Sequence, residues 1–363
     1  MIILHVAEYT KGGVATYLKN LINFQAKQDK VKKVYLVCSE QHGEEFIGLV
    51  DKKFKLYPYK YTRKLQNFLS AIFKIRKIIE EINPDIIHVH SSFAGMFVRI
   101  NYFFQKKNVK IVYCSHGWSF LMDTRKLKKS LYAYIEKLLS FKTDAIVNIS
   151  EYEYKNSLKY GIPASKSTII YNGVSPLSKS NEVLDRKISF DTNKINLLFI
   201  GRFDRQKGID ILLNVFTRNN FENIKLHLIG DNVLSNSDIN IPDNINSIGW
   251  VSSEEIDSFY KYADAIIMPS RWEGFGLVAV EAMKHKKAVI ASDRGALPEL
   301  IINEENGYVF KLDDEGSLTN ILNSLTKEKL VSMGIKGYDR YESKFTSSVM
   351  NEKIISLYEK INN

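Results

Sequence analysis

Two carboxylates, Glu273 and Glu281, stand eight residues apart on either side of Gly274-Phe275-Gly276. The apolar run Ala263 to Met268 before them reads as a buried strand, and Leu277 onward reads as an amphipathic helix. Gly274 and Gly276 relieve the crowding of so sharp a strand-to-helix turn. The unpaired N–H groups at the start of that helix carry about half a positive charge and attract phosphate. Eight residues at about 1.5 Å rise span at most about 12 Å. That separation suits a diphosphate with a sugar at each end, one carboxylate accepting hydroxyls of a hexose and the other of a ribose. Two glutamates on the solvated face of an ordinary helix would give the same spacing, so the reading needs support from the rest of the chain.

Support comes from Gly201-Arg202-Phe203-Asp204-Arg205-Gln206-Lys207-Gly208, which follows the apolar strand Ile195 to Ile200. Arg202 offers a planar fork of donors and Lys207 a point charge, a pair suited to clamping a diphosphate, although an exposed basic loop is the plainer account. His116 directly follows the strand Ile111 to Cys114 and precedes Gly117-Trp118, which places an imidazole at a strand's carboxyl end. Ligands bind there in parallel sheets, yet a lone histidine is more often structural. Gly12-Gly13 follows the strand Ile2 to Val6 and allows close approach to the backbone, as would a structural turn. His88 and His90 flank another strand end and are expected on opposite faces, one packed and at most one functional.

The elements that must position these residues alternate in type. In residues 1–175, helical patterns (to about 27, then 65–82, 93–105 and 125–141) separate short apolar runs that include Val34 to Cys38, Asp85 to Val89 and Ala145 to Val147. Such alternation implies right-handed crossovers and parallel sheets. A polar, irregular linker spans 176–194. The same logic resumes over 195–346 with strands at Lys225 to Ile229, Ile245 to Ile248 and Lys287 to Ala291, and a last helix falls at about 347–361. With 363 residues, 45% of them hydrophobic, two α/β domains can each bury a core.

Net charge is +10, and it is divided unevenly. Residues 1–180 hold 29 Lys and Arg against 14 Asp and Glu, and the remainder hold 22 against 27. The basic half is expected to face an anionic surface. Two stretches carry much of the charge: Lys60, Arg63 and Lys64 before a helix over Leu65 to Ile79, and Arg125 to Lys142 with Lys126, Lys128, Lys129 and Lys137. Their apolar positions are expected to pack on the sheet, leaving basic faces toward an anionic leaflet. Basic residues interleaved with apolar ones in helices, without an aromatic platform, argue against nucleic-acid binding. Cys38 and Cys114 both end apolar runs and read as small buried side chains. No basic, apolar leader opens the chain and no run approaches a membrane span, so a cytoplasmic location is expected.

Taken together, GRFDRQKG at 201–208, GWV at 249–251, SRWEGFGLVAVEAM at 270–283 and DRGALPELI at 293–301 resemble the retaining nucleotide-sugar glycosyltransferases of family four. The likeness covers nearly the whole chain; in the N-terminal half it rests mainly on Gly12-Gly13, His116-Gly117 and Asn172-Gly173-Val174. It implies the GT-B fold, two Rossmann-like doubly wound domains facing across a cleft. An acceptor-binding domain would occupy 1–175, a donor-binding domain 195–346, and the helix at 347–363 would cross back to the first. By resemblance, Arg202 and Lys207 hold the donor diphosphate, Glu281 the ribose and the Val251 backbone the base. Glu273 and the backbone of Gly274, Phe275, Gly276 and Leu277 hold the sugar, with Gly13 on the donor and His116 beside the sugar ring. The donor is expected to be UDP-linked and the acceptor a glycan or lipid-linked glycan of a cell-surface polysaccharide such as a capsule. No Asp-x-Asp dyad is present to ligate a metal, so no cofactor is expected. An epimerase or phosphorylase on the same fold, or a basic nucleic-acid-binding protein, are the alternatives.

Overall fold

The computed structural model describes the chain apart from residues 11, 41–42, 44–45, 47–50, 61–65, 104–106, 178–189, 232–240, 253–254 and 363. It divides into two units, Met1–Ser175 with Ser347–Asn363, and Pro176–Thr346. In the first unit the strands are β1 (Ile2–Ala7), β2 (Lys33–Ser39), β3 (Phe54–Tyr59), β4 (Ile86–His90), β5 (Lys110–Cys114), β6 (Ala145–Asn148) and β7 (Ser167–Ile169). Between them run α1 (Gly13–Ala26), α2 (Gln66–Ile82), α3 (Ser92–Ile100), α4 (Lys126–Ser140) and α5 (Glu151–Lys159). The sheet order is β3-β2-β1-β4-β5-β6-β7, every pairing parallel.

The second unit repeats the plan with β8 (Ile195–Ile200), α6 (Ile209–Arg218), β9 (Ile224–Ile229), β10 (Asn246–Gly249), α7 (Ile256–Tyr262), β11 (Ala265–Met268) and α8 (Leu277–Lys284). It continues through β12 (Ala288–Ser292), α9 (Leu297–Leu300), β13 (Gly307–Phe310), α10 (Glu315–Asn323) and α11 (Lys327–Lys344). Its order, β10-β9-β8-β11-β12-β13, is again wholly parallel. Reversals of strand order, at β1/β4 in one unit and β8/β11 in the other, are where neighbouring crossovers part and leave a crevice.

Strands β1, β4, β5, β8, β11 and β12 are buried almost throughout, which is why they read as continuous apolar runs. The edge strands β3 and β7 are mainly half-buried and carry no such run, and β13 is a short run that opens on Gly307 directly after the polar Asn303 to Asn306, so none of the three stood out. The last helix, α12 (Ser347–Asn362), belongs to the first unit, where Asn351 donates to Asn20 O at 3.4 Å and Ser347 N to Val174 O at 3.0 Å. Of the expected linker, residues 178–189 lie outside the described residues, and Phe190 at its far end stacks on His227 with 3.7 Å between ring centroids. Arg63, Lys64 and Leu65 also lie outside them. Both cysteines are free and buried.

Helix α4 departs from expectation. Its apolar positions were expected to pack on the sheet, but Leu127 is 86% exposed, Leu131 56%, Tyr134 61% and Phe141, just past its end, 69%. The buried face instead carries Ala133, Glu136, Leu139 and Ser140. Glu136 is the reason. It accepts from Arg99 Nη2 at 2.8 Å and from Tyr113 Oη at 2.9 Å, both buried, with the Arg99 guanidinium lying over the Tyr113 ring. An uncompensated charge in that position costs several kcal/mol, about 3–5 when one partner of a buried pair is removed. The pair therefore fixes which side of α4 faces inward.

Candidate active site

In the second unit three loops leave the carboxyl ends of β8, β11 and β12. The first and second are stitched together: Arg271 N donates to Gln206 O at 2.8 Å, Gln206 Nε2 to Trp272 O at 3.3 Å, and the Arg271 guanidinium forks onto both Asp210 oxygens at 2.7 and 2.6 Å. The third loop braces the second. Ala296 N donates to Glu273 O at 3.0 Å, and Gly295 comes so near that a Cβ there would lie 2.1 Å from the same carbonyl oxygen. Gly295 also has φ +61, so glycine is required twice over.

These contacts hold Glu273 at the mouth of the turn. Its Oε2 accepts from Lys207 Nζ at 2.6 Å, with both side chains mostly buried. Lys207 and Glu273, read separately as diphosphate and sugar ligands, are thus partners. An ammonium has three donors, which leaves two for an anion. Arg202, 42% exposed, pairs with Asp204 Oδ2 at 2.9 Å and donates to Gln206 Oε1 at 3.0 Å. Gly276 follows with φ +104 and opens α8. Phe275 turns inward onto Phe345, so this segment offers a ligand its backbone rather than that ring.

Glu281, in the second turn of α8, accepts from Tyr260 Oη at 2.9 Å, and burial pushes its pKa above the usual carboxylate value. Tyr260 stacks flat on His285, whose Nε2 meets Asp257 Oδ1 at 2.7 Å. Tyr260 lies in no recognisable motif, and only the fold shows it behind Glu281. Gly295, by contrast, was visible in DRGALPELI without its role. Val251 is buried beside Gly249, which has φ +82.

In the first unit, His88 and His90 correct the sequence reading. A strand's side chains repeat every two residues, so positions 88 and 90 share a face; their ring centroids are 4.2 Å apart and both are fully buried. Register adds the others: β1 and β4 pair His5 with His88, and β4 and β5 pair His90 with Cys114, two residues before His116. His116 adopts φ +52, rare for a residue with a side chain, and its ring packs edge-on against Tyr17 at 4.6 Å. His5 Nδ1 lies 3.0 Å from His90 Nε2, and His90 Nδ1 lies 2.9 Å from His116 Nε2. Burial lowers the pKa of all four, to about 4 for His5 and His116. Among the described residues, His5, His88 and His90 are the one group of such side chains close enough to share a metal ion. Gly13 opens α1 and is exposed, next to Gly12 with φ +59.

Known proteins agree with this architecture. Residues 11–176 match the profile of Glycosyltransferase Family 4, and 180–340 that of Glycosyl transferases group 1. A Klebsiella pneumoniae protein described as an uncharacterized 41.2 kDa protein in the cps region is 36% identical over 334 residues, covering 90% of each chain. The capsular polysaccharide biosynthesis glycosyltransferase CapM of Staphylococcus aureus is 25% identical over 369 residues, covering 94% of this chain and 93% of its own. Crystal structures of Anabaena Alr3699/HepE with UDP and with UDP-glucose each superpose with TM-score 0.81 at 18% identity, over 99% of this chain and 100% of theirs. The chain belongs to glycosyltransferase family 4, and it is a glycosyltransferase of the GT-B fold.

Proposed function

We propose that the protein transfers a hexose from a UDP-sugar, with retention, to a glycan or lipid-linked acceptor in the building of a cell-surface polysaccharide. The observation that carries this reading is the disposition of Glu273 and Glu281 about the Gly274–Gly276 turn, one held by Lys207 and the other by Tyr260. In this reading Arg202, Lys207 and the α8 N-terminus take the diphosphate. As the anomeric bond breaks, negative charge grows on the leaving phosphate, and donors already fixed in place stabilise that charge more than the ground state. Glu273 and the 274–277 backbone orient the sugar, Glu281 accepts from the ribose and the Val251 backbone meets the base. His116 and Gly13 complete the set on the strength of the family likeness. The cations serve where other enzymes place Mg²⁺, so excess chelator should leave the rate unchanged. UDP is favoured by the complexes of HepE, and a capsule-type product by the relatives named for O-antigen and capsule synthesis. A panel of nucleotide sugars read by thermal shift tests the donor. A ligand at about 100 times its Kd adds about 2.7 kcal/mol of stability, and no response to any UDP-sugar would overturn the reading.

The acceptor side draws on α4. Residues 127, 131, 134, 138 and 141 fall on one side of a helix at about 100° per residue, with Lys126 and Lys137 flanking one edge and Lys128 the other. An exposed apolar stripe between lysines, with its single carboxylate turned inward, fits the headgroup boundary of an anionic leaflet, where lipid-linked acceptors lie. No helix among the described residues is long and apolar enough to cross a membrane. Sedimentation with liposomes should show binding that requires anionic lipid and falls when Lys126, Lys128 and Lys129 become Glu or when Leu127 and Leu131 become Ser. No pelleting with anionic liposomes would remove the membrane from the proposal.

A further inference from the structure

Among the described residues, four histidines of the first unit, His5, His88, His90 and His116, share one hydrogen-bonded network with a definite direction. It begins at Gln25 on α1, whose Nε2 faces Tyr358 Oη of α12 at 3.5 Å and whose Oε1 faces His5 Nε2 at 2.7 Å. A carbonyl oxygen only accepts, so His5 carries its proton on Nε2 and leaves Nδ1 as an acceptor. His90 Nε2 then donates to His5 Nδ1, and His116 Nε2 donates to His90 Nδ1, at the distances given above. Each neutral imidazole has one donor and one acceptor, so fixing the first fixes the rest. The Tyr358 hydroxyl, accepting from Gln25, gives its own proton to His88 Nδ1 at 2.6 Å.

We propose that Gln25 is a positioning residue that, through His5 and His90, sets the tautomer of His116, so that His116 Nδ1 presents a bare lone pair to a substrate hydroxyl. Neutral imidazoles buried in series polarise one another, which favours one proton arrangement over mixed ones. A reversed amide would turn every proton about and make His116 Nδ1 a donor. The assignment of the lone pair to a substrate hydroxyl rests on the reading of His116 given above; the relay itself does not.

Histidine-ring ¹⁵N correlation spectra of the intact, ligand-free protein read the tautomers directly, and a merely structural role for Gln25 would not move them. The wild type should show His5, His90 and His116 each protonated at Nε2. Gln25→Met should leave His116 as a mixture of both tautomers, and Gln25→Glu, which keeps an acceptor toward His5, should restore the Nε2–H form. If Gln25→Met fails to fold, His90→Phe, which breaks the relay at its middle, is read the same way. A wild-type His116 protonated at Nδ1, or one unaffected by both substitutions, overturns the relay. Adding UDP-glucose, UDP-galactose and UDP-N-acetylglucosamine in turn separates the two ideas. A tautomer that obeys Gln25 with no His116 ring shift from a sugar nucleotide that binds upholds the relay and removes His116 from the sugar.

Discussion

Tyr260 gives its hydroxyl proton to Glu281 at 2.9 Å. The two residues sit on α7 and α8, and the bond fixes one carboxylate oxygen so that the other is aimed. Tyr260→Phe removes a donor to a charged group, worth about 1.5–3 kcal/mol. Thermal stability should fall by up to about that amount, since the bond is already made in the free protein, although the ring still stacks on His285, and nucleoside diphosphate affinity should fall with the loss of the held carboxylate. Calorimetric titration with UDP checks the affinity, and thermal denaturation checks the stability.

Lys207→Ala and Glu273→Gln break the same ion pair from opposite ends. The first should weaken UDP itself, by roughly 1.5–3 kcal/mol for a charge-assisted contact. The second should spare UDP affinity and lower turnover of the sugar nucleotide. Equal losses of UDP affinity in both variants would mean that the pair matters only for holding the loop.

Gly295→Ala and Gly12→Ala isolate a steric effect. Both positions have φ near +60, and Gly12 combines it with ψ −136, so each substitution enters a backbone region that residues with a Cβ avoid, at a cost of about 1–3 kcal/mol. Only at Gly295 would the new Cβ strike backbone, 2.1 Å from Glu273 O, while at Gly12 it meets nothing within 4 Å. Thermal denaturation should therefore show a clearly larger loss for Gly295→Ala, and UDP-sugar affinity should fall with it.

Acid should unfold the first unit through its histidines. His5 has its pKa lowered from 6.5 to about 4 by burial, so between those values the unfolded chain binds a proton that the folded chain refuses. Stability contributed by neutral His5 is complete above pH 6.5 and is lost as pH falls, by about 1.4 kcal/mol per pH unit down to about pH 4. His116 has the same window and adds to the slope. Denaturant midpoints measured from pH 7 to pH 4.5 should fall throughout, and His5→Phe should flatten the curve.

The sequence by itself determined the doubly wound class and the donor-side motif. Buried parallel strands leave continuous apolar runs, and the Glu273 to Glu281 segment is local, its glycines and carboxylates bound to one turn and one helix. What the sequence left open was every relation that depends on register or on side choice. The two-residue spacing of His88 and His90 already puts them on one face, against the reading made of it, but only register brings His5 beside them, and nothing linear joins His5, Gln25 and Tyr358, the last two of which lie 333 residues apart. Tyr260 and Gly295 acquire roles only because α7 and the loop after β12 come back against the turn. On α4 the apolar spacing was plain, but spacing records a stripe and not the side it faces. That was decided by a single buried charge: Glu136 must reach Arg99 and Tyr113, and in doing so it turns five apolar side chains toward solvent.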